Sequence, residues 1–136
     1  MKGRVRRPQE HSDLLNKLKD EGLFDTLKSA LVFAASVGAA MGVKDEMDSS
    51  AEPIAIDTFS DDLDIPFMFA LALVDTGDPA VLKEDQYDQV IAIFERYATG
   101  GLAYLKSTLD YANLQASIES FVFSEEQGEQ SVEPIW

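Results

Sequence analysis

The chain has no cysteine. That absence excludes disulfides, thiolate metal sites, iron–sulfur ligation and any persulfide or thiol chemistry carried by this protein itself. It fits a cytoplasmic location. Only one histidine is present, His11. A single imidazole, with no thiol and no second histidine, is a poor metal ligand or triad member, and its place on the apolar side of a helix marks it as a packing residue. Phosphate-cradling glycine loops are missing, as is the Asp…Glu-x-Lys spacing of many nucleases. No apolar run approaches the ~20 residues that cross a bilayer. The apolar stretch Ala30–Ala35 lacks a signal-peptide context, because a polar helix separates it from the preceding bases. These absences predict a protein that is not an enzyme, holds no cofactor and engages no membrane.

Basic residues are scarce, and their placement is uneven. The formal net charge is −14. Residues 1–22 hold six bases against four acids, whereas the remaining 114 residues hold five bases against 21 acids. The body therefore stands at −16 and repels duplex DNA, which confines any nucleic-acid contact to the N-terminal arm. The simplest meaning of the acidity is a solvated surface that keeps the protein soluble.

What is present reads mostly as helix. With 136 residues and 46% apolar content, one domain is expected, able to bury a core without metal or disulfide support. Lys2, Arg4 and Arg6 alternate with Gly3, Val5 and Arg7, a pattern that suits a short strand. Pro8 suits the first turn of a helix that places His11, Leu14, Leu15 and Leu18 on one face. Asp25 or Thr26 caps a second helix that runs to about Met41, where Gly42 stops it. This helix is apolar nearly all round, and Ala30, Ala34, Ala35, Gly38 and Ala39 let another helix approach closely. The same residues serve a core or a subunit interface. Residues 43–53 read as a loop, and Pro53–Asp57 as a short extended piece. A helix to about Asp75 carries Phe67, Leu71 and Val74 inward. Thr76–Pro79 makes a turn, and the next helix has Tyr87, Val90, Ile91, Phe94, Tyr97 and Ala98 on one face. Gly100-Gly101 is expected to interrupt it before Leu102, Leu105 and Leu109 restart the period. The predicted architecture is mainly α: a compact bundle of about five helices with one or two short extended segments. Residues 1–123 form a single helical domain, of which 1–42 are the basic arm and two helices, and 124–136 an acidic flexible tail.

Asp57, Asp61, Asp62 and Asp64 form an acidic cluster. It lacks the order of an EF-hand loop, so charge complementing a helix N-terminus explains it better than a bound cation does. The arm offers more. A strand, a helix near a proline, a turn and a capped second helix is the order of a ribbon–helix–helix module, in which two chains pair their strands and place the ribbon in the major groove. Lys2, Arg4, Arg6 and Arg7 would then contact duplex DNA, and Thr26 with the free N–H groups at the start of the second helix would hold a phosphate. Such a module is a homodimer. The alternative is an arm that folds over the acidic body of its own chain or of a partner.

Arg4-Val5-Arg6-Arg7-Pro8-x-Glu10-His11, Phe24-Asp25-Thr26, Ala30–Ala35 with Gly38, Glu52-Pro53-Ile54, Thr76-Gly77-Asp78-Pro79 and Ile93-Phe94-Glu95-x-Tyr97-Ala98-x-Gly100-Gly101-Leu102 together resemble the DNA phosphorothioation-associated (dnd system-associated) protein 4 family. The resemblance covers most of residues 4–105. It implies an accessory role in a bacterial system that replaces a backbone oxygen of DNA with sulfur and restricts unmodified DNA, and it brings no catalytic residues. Two binding roles follow: contact with DNA, or regulation of the system, through the basic arm; or an acidic adaptor, with or without imitation of DNA, on a basic modification or restriction protein of the same system.

Overall fold

Val5 is fully buried between exposed Arg4 and Arg6, the period-two pattern of a strand with one face on a core. This strand, β1 (Arg4–Pro8), pairs antiparallel with β2 (Ser50–Ala55), with Val5 opposite Ile54 and Arg7 opposite Ala51. The register shifts between Val5 and Arg7. The structure, a computed structural model, describes residues 1–110 and 113–120, and in these the protein is mainly helical. The acidic tail expected over 124–136 lies outside the described residues. Residues 1–106 make one compact unit, and the described residues after 106 belong to a second.

Pro8 ends β1 rather than opening a helix, and a short 3-10 turn over Gln9–His11 leads into α1 (Ser12–Asp20). Leu14, Leu15 and Leu18 are buried, as their spacing predicts. Then α2 (Leu27–Met41) starts on Thr26, whose hydroxyl oxygen accepts the Ser29 N–H at 3.1 Å, and stops at Gly42 with φ 68°. Both ends coincide with the sequence expectation. The chain passes through β2, which begins three residues before the expected extended piece and tolerates Pro53 because a two-stranded sheet has only edge strands. After a 3-10 turn over Ile56–Thr58 comes α3 (Asp64–Thr76). Two further 3-10 turns, Pro79–Leu82 and Glu84–Gln86, precede α4 (Tyr87–Thr108).

Gly100 and Gly101 do not interrupt α4. A Cβ on Gly101 would overlap the Ala34 carbonyl oxygen of α2, one on Gly38 would overlap the Tyr97 carbonyl oxygen, and one on Gly100 would lie 2.6 Å from the Lys44 Cα. The glycines are the contact surface itself. They let α2 and α4 approach backbone to backbone, and the gain in packing outweighs the ~1 kcal/mol that a helical glycine costs relative to alanine. The small-residue stripe of α2 thus meets a helix of its own chain at Ala34 and Gly38, and Ala30, Leu31, Ala35 and Val37 are buried as well. Phe94 of α4 lies at the aromatic centre, edge-on to Phe59 at 5.9 Å and to Phe67 at 6.3 Å.

Helix α3 differs from expectation in phase. Leu71 is buried, but Met68 and Ala72 accompany it, and Val74 is 81% exposed instead of facing inward. In the second unit, residues 114–120 are helical, and the Ser117 hydroxyl accepts the Asp110 N–H at 3.0 Å.

Candidate functional site

The four basic residues of the arm have unlike environments. Lys2 and Arg4 are exposed, and their side chains have no ion-pair or hydrogen-bond partner among the described residues. Arg6 is held. Its Nη2 donates to Glu95 Oε1 at 3.0 Å, its Nε lies 3.2 Å from both carboxylate oxygens, and its backbone N–H donates to Oε2 at 2.6 Å. The Glu95 side chain is only 5% exposed, against 53% for Arg6. A buried carboxylate on α4 therefore receives a guanidinium and a main-chain N–H from one residue of β1, the two-pronged geometry that makes such contacts strong. The hydrogen bond and the charge of Glu95 together push the Arg6 pKa above its ordinary value. Arg7 turns the other way, and its Nε donates to the Glu52 carbonyl oxygen of β2 at 2.6 Å.

Strand pairing decides what the arm can do. One edge of β1 is bonded to β2 of the same chain, and on the other the Arg6 N–H is capped by Glu95. A ribbon made with a second arm would have to displace one of these. The order strand, helix, turn, helix is present, but the strand is closed inside the chain. Thr26 sits apart from the arm in the chain, at the start of α2, where its oxygen serves as a cap and its hydroxyl bonds Ser29 Oγ at 3.1 Å. The structure brings together Lys2, Arg4, Arg6 and Arg7 on or beside one strand, with Arg6 and Arg7 already engaged.

Two further ion pairs hold α3. Asp64 accepts Lys28 Nζ at 2.7 Å and the Ser60 N–H at 2.9 Å, while Ser60 Oγ accepts the Asp64 N–H at 3.1 Å. Burial works against the charged form of Asp64, but Lys28 and Ser60 outweigh it and hold the pKa below the usual carboxylate value. Asp75, at the other end, accepts Lys44 Nζ at 2.9 Å and the Tyr97 hydroxyl at 2.7 Å. The Lys44 hydrogen bond is the chief reason that the Asp75 carboxyl lies below its usual value, and the bond to Asp75 raises the Tyr97 phenol. Of the acidic cluster, Asp64 thus points at Lys28, while Asp57, Asp61 and Asp62 stay exposed. No three metal-ligating side chains gather among the described residues. His11 is half-buried, and burial lowers its pKa, which favours the neutral ring.

Glu95, the residue that organises the arm, was not singled out by the sequence reading. Its signal was present: it stands one helical turn after Ile91 and beside Phe94, an acid inside an apolar face, where it requires a buried partner. Asp64 gave no such signal, since an acid also suits a helix N-terminus; Asp75, in the last turn of α3, runs against the helix dipole and so did carry one.

No curated protein and no solved structure matches the chain. The family model described as DNA sulphur modification system-associated protein 4 matches residues 4–134, which include β1, the two lysines paired with α3 and the whole of α4. The span takes in nearly the entire chain, and the protein belongs to that family.

Proposed function

We propose that this protein serves its DNA sulphur modification system as a non-enzymatic adaptor in the cytoplasm, an acidic subunit that docks on a basic modification or restriction protein. The observation that carries this reading is the closure of the arm: Arg6 is tied to buried Glu95 and Arg7 to β2, so of the arm's four bases Lys2 and Arg4 are the two whose side chains have no partner among the described residues. Two phosphate contacts give a salt slope of about −1.8, so fourfold more salt weakens binding only about twelvefold. Such a contact is small beside the repulsion of a body at −16. An acidic surface of this strength speeds encounter with a basic protein instead, and disfavours wrong partners.

The test is co-expression of the tagged protein with the modification and restriction proteins of its own system. A salt-sensitive complex with one of them is the expected result, and absence of any such complex at low salt refutes the adaptor. A second reading keeps one observation in its favour. Lys2 and Arg4 are exposed and unpaired, so contact with duplex DNA through the arm, with Arg6, Arg7 and Thr26 in support, makes its own forecast. Fluorescence anisotropy at low salt would then show duplex binding that Lys2→Ala with Arg4→Ala abolishes. Arm-mediated DNA contact is discarded if the unmodified protein leaves the duplex signal unchanged.

A further inference from the structure

Helix α3 is apolar on its outward face as well as on its buried one. Every exposed residue within it is apolar: Pro66, Ala70, Leu73 and Val74, with Leu63 just before its start. Leu63 is 75% exposed and Val74 81%. Spaced three, four or seven residues apart, they form one stripe along the outward face. Its two acids, Asp64 and Asp75, are instead turned toward Lys28 and Lys44. A surface helix normally shows water its charges; one that shows only apolar side chains marks an interface.

Charge decides between occupants. Between Lys44 and Lys83 the chain has ten acids and no base. Exposed Asp61 and Asp62 precede the stripe, and exposed Asp78 follows it, sharing a shallow pocket with Asp85 and Thr76. A second copy of α3, laid parallel or antiparallel, would bring acids against acids at both ends. A helix with an apolar face and lysine or arginine at its flanks would meet apolar with apolar and charge with opposite charge.

We infer that the outward face of α3 docks a basic amphipathic helix of another protein. This rests on the adaptor reading and names the surface and the partner chemistry that it leaves open. Asp64 and Asp75, held from within, leave the face itself free of charge.

The probe is a fluorescein-labelled peptide of leucine and lysine at helical spacing, about 18 residues or five turns long, titrated with the full-length protein. Val74→Lys and Leu63→Lys are compared with Asn16→Lys, which adds the same charge on the exposed side of α1. All three positions are solvent-facing, and thermal melts check that the variants fold. The expected result is binding that weakens about tenfold or more with either stripe variant and much less with Asn16→Lys. Equal weakening by all three variants overturns the inference, as does a leucine–glutamate peptide that binds as well. A wild-type dimer in sedimentation that Val74→Lys dissociates also overturns it, by making a second copy the occupant. The two levels separate in co-expression. If Val74→Lys still co-purifies with the system partner, the adaptor stands and the α3 face falls. If the peptide binds as expected but no system protein does, the face stands and the adaptor falls.

Discussion

Replacing Arg6 by alanine should destabilise the protein far more than the same change at Arg4, two residues earlier on the same strand. In Arg6→Ala the Glu95 carboxylate, 5% exposed, keeps only the strand N–H and loses the guanidinium. Stripping one partner from a fully buried ion pair costs about 3–5 kcal/mol. Here the guanidinium is half exposed, so water reaches part of the vacated space, and the value for a charge-assisted hydrogen bond, about 1.5–3 kcal/mol, is the better guide. About 2 kcal/mol is expected, or about 8 °C in Tm for a chain of this size. Arg4→Ala removes a side chain with no partner and should stay within about 0.5 kcal/mol. Urea unfolding, followed by circular dichroism, measures both. A double-mutant cycle with Glu95→Gln isolates the pair, because glutamine still accepts the strand N–H but carries no charge. In that background Arg6→Ala should cost about 0.5 kcal/mol or less. The reasoning is refuted if Arg4→Ala and Arg6→Ala are equally costly, or if the cost of Arg6→Ala is unchanged by Glu95→Gln.

Gly101→Ala should cost about 3 kcal/mol, the upper end for overpacking, because the new methyl group meets a backbone carbonyl of α2 that cannot rotate away; a wild-type melting temperature would contradict the close crossing. Thr26→Ala should cost about 1 kcal/mol through loss of the cap. If Thr26 is a cap alone, the variant keeps full binding of any partner, and a selective loss of binding at unchanged stability would assign it to a ligand. Asp64 and Asp75 both have folded-state pKa values below their ordinary ones, so each contributes stability that is present above the unfolded pKa of about 3.9 and lost as pH falls through the folded value. Acid unfolding curves should therefore steepen below about pH 4. Asp64→Asn and Asp75→Asn should flatten that dependence, and a pH profile untouched by both would remove the ion pairs from the account.

The sequence disclosed what short-range chemistry dictates. Thr26 and Gly42 bracket α2 because a capping hydroxyl and a left-handed glycine act on the few residues beside them. Likewise Leu14, Leu15 and Leu18 state the phase of α1 outright. Gly100-Gly101 misled for the opposite reason: glycine's local preference against helix was overruled by α2, more than sixty residues away in sequence. Val74 misled because α3 is apolar on every side, so its period carries no phase. Nothing near Arg6 names Glu95 as its partner, 89 positions later. Of the candidate site, the sequence located the arm and its charges. It could not tell which were already bonded.

Scarcity of bases explains more than the net charge does. After residue 22 the chain has five, and Lys28 and Lys44 are tied to the two acids of α3. Asp64 and Asp75 stand eleven residues apart, about three helical turns, so both fall on the same side of α3. With that side bonded to lysines, the opposite side is the one that water sees, and it holds Pro66, Ala70, Leu73 and Val74. The ion pairs thus do two things at once. They neutralise acids that would otherwise repel their neighbours in the fold, and they fix the rotation of α3 so that its apolar stripe points outward. Charge-neutral inside, acidic at both ends and apolar between, α3 is oriented by the few bases the chain possesses. An isolated α3 would have no reason to choose that rotation.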